Sequence, residues 1–171
     1  MSPGALAGVR VLELGTLIAG PFAARMLAEF GAEVIKIEDP GSGDPIRSWR
    51  MLHEGTSLWW YVQSRNKKSI ALNLKDPEAQ AIARRLALEA DIVIENYRPG
   101  VLEKWGLGWE ALHAARPSLI MVRLSGYGQT GPMRDRPGFG AIGESMGGIR
   151  YVSGFPDRPP VRIGISIGDS I

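Results

Sequence analysis

The sequence predicts an α/β fold, an open and mostly parallel sheet with helices on both faces. Three observations predict it. Short runs of branched and apolar residues alternate along the chain with segments of helical period. The first strand–helix–strand unit spans about 30 residues, the size of a βαβ crossover. A later run, SLIMVRL at 118–124, is almost continuously apolar, as expected of a strand covered on both faces.

Residues 9–14 (VRVLEL) form the first expected strand, ended by Gly15. Pro21 sits near a helix start, where its missing N–H costs little. Residues 21–30 place Phe22, Met26, Leu27 and Phe30 at helical spacing, and Gly31 fits a C-cap. The second strand is 33–38 (EVIKIE), reached by a crossover of the right-handed kind. Residues 39–45 (DPGSGDP) are a loop. The stretch 46–61 carries Trp49, Trp59, Trp60 and Tyr61, which read as packing residues of the core or of a subunit contact. Residues 64–68 (SRNKK) are a basic turn, and 69–74 a short strand with Ile70, Leu72 and Leu74 on one face. Asp76 fits an N-cap and Pro77 the first position of a helix running to Glu89. Residues 91–95 (DIVIE) are a strand, 96–100 (NYRPG) a loop, and 101–105 and 109–115 short helices before the strand 118–124. A Gly/Pro loop covers 125–139 and a helix 141–149. Residues 151–153 begin a hairpin into a last strand, 161–167, with Ile163, Ile165 and Ile167 on one side.

The 171 residues fit one domain or part of a larger one, with enough chain for a sizeable core. The net charge of +2 and pI of 9.1 reflect a small excess of base. No basic tract or aromatic-basic interleaving points to nucleic acid. The absence of cysteine excludes disulfides, thiolate metal sites and a cysteine nucleophile, and fits a reducing compartment. His53 and His113 have no HExxH-type spacing and read as surface or half-buried residues, so no metal is expected. No apolar run approaches a membrane span, and the N-terminus has no hydrophobic signal core; a cytoplasmic protein without membrane or nucleic-acid partners is expected.

In open parallel sheets, ligands sit beyond the carboxyl ends of the strands. The loops expected there are 15–20, 38–45, 96–100 and 125–139. The layout is Rossmann-like, yet the first turn reads Gly15-Thr16-Leu17-Ile18-Ala19-Gly20-Pro21 and lacks the G-x-G-x-x-G of dinucleotide sites. Glu38 or Asp39 occupies the place of a ribose-binding acid, but acids at strand ends are common. Asp169, between Gly168 and Ser170, reads on its own either as a turn or N-cap residue, or as a carboxylate that glycine leaves open to approach.

Taken in order, several segments carry a resemblance. They are Leu12-Glu13-Leu14 with Ala19-Gly20-Pro21; 31–38 (GAEVIKIE); 40–44 (PGSGD); 66–70 (NKKSI) with 72–75 (LNLK); 91–100 (DIVIENYRPG); 126–132 (GYGQTGP); and Gly164 through Asp169. Together they resemble the class III CoA-transferases, the family of formyl-CoA transferase and carnitine CoA-transferase, from about Gly8 to the end. The resemblance implies transfer of CoA from an acyl-CoA to a carboxylic acid, with Asp169 as catalytic nucleophile. Its carboxylate would attack the thioester to give a mixed anhydride and CoA thiolate; the thiolate would then give an aspartyl-CoA thioester, and the acceptor acid would reverse the sequence. An ordinary aspartate, pKa about 3.9, is ionised at neutral pH and needs no partner base. Glycine-rich turns can supply oxyanion donors.

The resemblance also implies CoA contacts at Leu17 and Ile18, at Leu72, Asn73, Leu74 and Lys75, at Asn96, Tyr97 and Arg98, at Lys104, and at one of Arg134 or Arg136. Leu72 and Leu74 read equally as core, and Lys75 and Lys104 as solvated charges. Asp39 stands where some members carry a base, which argues against a phosphate contact there. CoA and acyl-CoA enter as substrates, with no resident cofactor, and the other partner is a small carboxylic acid such as a dicarboxylate. α-Methylacyl-CoA racemases share the fold family and pair an aspartate with a histidine. Here the matching place reads Gly138-Phe139-Gly140 without histidine, which favours the transferase. Relatives implied by the resemblance are about twice this length and form dimers interlocked like chain links. Residues 1–171 are therefore expected to be an N-terminal CoA-binding α/β segment, with the second domain and the C-terminal return absent. A non-catalytic chain that needs a partner is the remaining alternative.

Overall fold

The computed structural model describes residues 4–170. The chain forms two compact units, Met1–Leu124 and Ser125–Ile171. In the first, β1 (Arg10–Glu13), α1 (Ala19–Glu29) and β2 (Glu33–Glu38) make the expected crossover. A 3₁₀ turn, Pro45–Ser48, leads to a small hairpin, β3 (Leu52–His53) and β4 (Thr56–Ser57), and to α2 (Leu58–Gln63). Then come β5 (Lys67–Ala71), α3 (Pro77–Glu89), β6 (Ile92–Glu95), α4 (Val101–Lys104), α5 (Trp109–Ala115) and β7 (Ile120–Arg123).

The main sheet has the order β5-β2-β1-β6-β7, and all its pairings are parallel. Alternation along each strand sends side chains to two cores. Val11, Val34 and Ile94 meet Ala24 and Ala28 of α1 on one face. Leu12, Ile37 and Val93 meet Ala83 and Ala87 of α3 and Leu112 of α5 on the other. Small residues along the buried faces of α1 and α3 let both helices approach the sheet closely. Helix α3 begins as the sequence dictates: the Asp76 side chain accepts the Glu78 amide at 2.9 Å, and Pro77 follows.

Some elements differ from the sequence expectation. Strand β5 starts earlier than residue 69, because its register on β2 pairs Val34 with Lys67 and Glu38 with Ala71; residues 72–75 are thereby released into a loop. Strand β7 is not covered on both faces. It is an edge strand of the described sheet, and Ile120 is 57% exposed. The 52–57 hairpin was not legible as alternation, being two residues a side; Glu54 and Gly55 both take positive φ, as a tight hairpin turn requires.

The second unit holds α6 (Gly140–Met146), shorter than the expected 141–149. The hairpin from 151–153 and the strand 161–167 do not form. The chain there is irregular and ends in a 3₁₀ turn, Ile167–Asp169. A single run of alternating residues makes no strand without a partner to bond its backbone, and Ile165 remains 64% exposed.

Candidate active site

Between β1 and β6 the order of connections reverses, and the crevice beyond their carboxyl ends is where such folds bind ligands. Each of the three neighbouring strands β1, β2 and β6 ends there in a buried glutamate: Glu13, Glu38 and Glu95. Each acid meets a base. Lys36, directly opposite Glu13 in the parallel register, reaches its Oε1 at 2.8 Å. Lys67 reaches Glu13 Oε2 at 2.7 Å. Arg47 grips Glu38 through Nε at 2.7 Å and Nη2 at 2.9 Å, and its guanidinium lies 3.6 Å from the centre of the Trp60 ring. Arg123 pairs with Glu95 at 2.7 Å.

Lys36 also reaches Asp44 Oδ2 at 2.8 Å and the Gly15 carbonyl at 2.6 Å. Burial alone would lower the Lys36 pKa, but Glu13 and Asp44 outweigh it and leave it above the usual lysine value. For Lys67 burial wins, and its pKa falls. For Glu95 burial likewise wins over Arg123 and the Tyr97 amide, and its pKa rises.

Burial would raise the Glu38 carboxyl, yet the hydrogen bonds from Arg47, Ser69 and the Asp44 amide hold it at about 2, against 4.5 unperturbed. A depressed pKa contributes stability that is present above pH 4.5 and is lost as pH falls toward 2. Glu38→Gln is therefore expected to lower the urea midpoint at pH 7 and to flatten its fall between pH 4.5 and 2. Parallel wild-type and variant curves over that interval would contradict this.

The turn from β1 into α1 is held at several points. Asn96 accepts the Thr16 amide at 2.7 Å and donates to the Thr16 carbonyl at 2.8 Å. Gly15 and Gly20 close on each other beside Asn96, where a Cβ on Gly15 would lie 2.9 Å from the Gly20 Cα. Leu17 has φ +62, a left-handed conformation that costs a non-glycine residue roughly 1–2 kcal/mol. Its amide donates to Asp44 Oδ1 at 3.0 Å.

A cleft of about 280 Å³ opens beside this turn, lined by Thr16, Asp39, Asp44, the 72–75 loop, Tyr97 and Trp105 among others. It gathers five of the ten first-unit residues singled out in the sequence: Leu72, Asn73, Leu74, Lys75 and Tyr97 line it, while Leu17, Ile18, Asn96, Arg98 and Lys104 do not. Leu72 and Leu74 serve the core as well. Tyr97 packs edge-on to Trp105, with ring centres 5.3 Å apart. The Asn96 side chain is engaged by Thr16, and Ile18 is buried. Arg98 and Lys104 are exposed and form no ion pair among the described residues. Asp39 binds the Gly41 and Ser42 amides at 2.9 and 3.1 Å, which lower its pKa.

In the second unit, Asp169 ends the 3₁₀ turn and packs against Gly140 at the start of α6. A Cβ on Gly140 would lie 2.7 Å from the Asp169 carboxyl carbon, and one on Gly168 would run into the Gly140 carbonyl. Two glycines thus seat the carboxylate, and no side chain fits at 140. Burial pushes the Asp169 pKa up, Glu144 adds to the rise, and the Gly140 amide and Arg162 oppose it. Glu144 is itself buried, with Arg150 Nε 3.7 Å from its Oε2. Arg134 and Arg136 are exposed in this unit.

Sequence reasoning did not single out Lys36, Asp44 and Lys67, whose buried side chains join Glu13 and brace the β1–α1 turn and the start of α1. The available signal was the alternation in β2: Val34, Lys36 and Glu38 share the α1 face, so a lysine there had to be buried and partnered.

Residues 6–171 match the profile of CoA-transferase family III. The chain belongs to CoA-transferase family III. Succinyl-CoA–D-citramalate CoA-transferase of Chloroflexus aurantiacus is 64% identical over 170 residues, covering 99% of this chain and 42% of that protein. Succinyl-CoA:glutarate CoA-transferase of Homo sapiens is 43% identical over 165 residues, 96% of this chain and 38% of that one. A crystal structure of a CAIB/BAIF family protein from Brucella suis superposes with a TM-score of 0.91 at 39% identity, over 98% of this chain and 46% of that chain. The chain spans about 40% of the length of the family members it matches.

Proposed function

We propose that this chain carries the CoA-binding turn and the nucleophile of a CoA-transferase, with Asp169 taking the acyl group. The observation that carries the proposal is the seating of Asp169: a half-buried carboxylate with a raised pKa, fitted against Gly140 where no side chain has room. Its Oδ attacks the thioester carbonyl; the C–S bond breaks and CoA leaves as thiolate. The thiolate attacks the aspartyl carbonyl, the acyl carboxylate departs, and an aspartyl-CoA thioester remains. An acceptor carboxylate then repeats the two steps in reverse, restoring Asp169. A carboxylate held above its usual pKa is a better nucleophile once ionised. The cleft beside the β1–α1 turn offers the nucleotide part of CoA an apolar wall of Leu72, Leu74, Tyr97 and Trp105, with Lys75 among its lining and the acids Asp39 and Asp44 on its other side.

The relatives support the donor and acceptor: names pairing succinyl-CoA with citramalate, malate or glutarate favour succinyl-CoA and a small dicarboxylic acid here. Two relatives are named as alpha and beta subunits of one transferase, which supports a partner chain, and the proposal takes this to be an interlocked dimer. The proposed location is the cytoplasm, where a water-soluble acyl-CoA is at hand. Among the described residues no helix is long and apolar enough to cross a membrane.

The test is mass spectrometry of the full-length protein after incubation with a panel of acyl-CoAs. A covalent acyl or CoA adduct on the peptide bearing Asp169 is expected, strongest with succinyl-CoA. No adduct with any donor, or deuterium exchange at a substrate α-carbon without CoA exchange, would overturn it.

A further inference from the structure

We propose that Asp44 is a positioning residue that sets the backbone of the β1–α1 turn for acyl-CoA. It rests on the proposed acyl-CoA binding. Three side chains from three separate parts of the fold fasten this turn, and a fourth holds the first turn of α1 behind it. Lys36 of β2 takes the Gly15 carbonyl at 2.6 Å, Asn96 after β6 takes both backbone groups of Thr16, and Lys67 of β5 takes the Pro21 carbonyl at 2.7 Å. Asp44 takes the Leu17 amide at 3.0 Å.

Asp44 is the member that fixes the unusual conformation. Leu17 is held at φ +62 although it is not glycine, and a strained backbone persists only where its surroundings over-determine it. The same Oδ1 accepts the Ile46 amide at 2.9 Å, while Oδ2 meets Lys36 at 2.8 Å, so the carboxylate cannot swing away. Asp44 itself is held by its own amide, which donates to Glu38 at 2.9 Å. It lines the cleft together with Thr16. The turn thus keeps one shape before any ligand arrives, and the ordering cost is met in folding rather than in binding.

The test compares two charge-balanced variants of the full-length protein, D44A/K36M and D44N/K36M. Each removes one cation and one anion from the buried cluster, and they differ in whether an acceptor oxygen remains for Leu17. Amide hydrogen exchange at Leu17 and the Kd for CoA by calorimetry are read for both. Exchange at Leu17 is expected at least about tenfold faster, and the Kd about tenfold weaker, in D44A/K36M than in D44N/K36M. Arg116→Gln, at the opposite end of the sheet, is expected to change neither. Equal Leu17 exchange in the pair overturns the positioning role. Faster exchange with equal Kd overturns its bearing on the ligand. If the wild-type protein binds no CoA while the exchange difference persists, the acyl-CoA reading fails and the setting of the turn by Asp44 stands.

Discussion

Replacing Asp169 by alanine is expected to lower CoA exchange between succinyl-CoA and a dicarboxylate by at least roughly 10³-fold, as loss of a covalent nucleophile does. The same change is expected to raise the thermal midpoint at neutral pH. Burial lifts the Asp169 pKa, so the folded chain prefers the neutral acid and carries the ionised form at a cost. That cost is absent well below the ordinary value of 3.8 and grows as pH rises through the raised one. The stability gain of the variant should therefore vanish in acid. In the wild type, activity should fall on the acid side at a pH above 3.8, because only the carboxylate attacks. Calorimetry from pH 3 to 8 and initial-rate profiles check both; persistent turnover by the alanine variant would remove Asp169 from the mechanism.

Lys36→Ala is expected to destabilise the first unit by about 3–5 kcal/mol, because Lys67 still pairs with Glu13 while Asp44 is left buried without its cation. That is a large share of the roughly 5–15 kcal/mol that holds a domain together. Adding Asp44→Asn to Lys36→Ala removes the surplus anion, leaves Lys67 paired with Glu13, and should recover at least half the loss. Urea denaturation followed by tryptophan fluorescence measures this. A Lys36→Ala midpoint equal to that of the wild type would mean that water or rearrangement relieves the charges.

The sequence carried the first unit well where local chemistry is decisive. The crossover from β1 to β2, the Asp76-Pro77 helix start and the apolar strand at 91–95 all follow from spacing and caps. What it concealed depends on register. Only the pairing of β2 with β1 puts Lys36 opposite Glu13, and only the pairing with β5 moves Leu72, Asn73 and Leu74 out of the expected strand and into the cleft lining. The second unit misled in the other direction. Alternating isoleucines at 163–167 mimicked a strand, yet among the described residues no neighbouring strand bonds it. The seat of Asp169 lies in two glycines, Gly140 and Gly168, far apart in sequence, and only their contact gives either one meaning.

The cluster of Glu13, Lys36, Asp44 and Lys67 sums to zero charge with its side chains shut away from water. Any one-residue change that removes a charge from it passes through a state with an unmatched ion, so drift of charge at these four positions is blocked one step at a time. They should be inherited as a set: lineages that alter one are expected to have altered its opposite as well. An alignment of the family would then show the four positions varying together, while the exposed acids and bases nearby change freely.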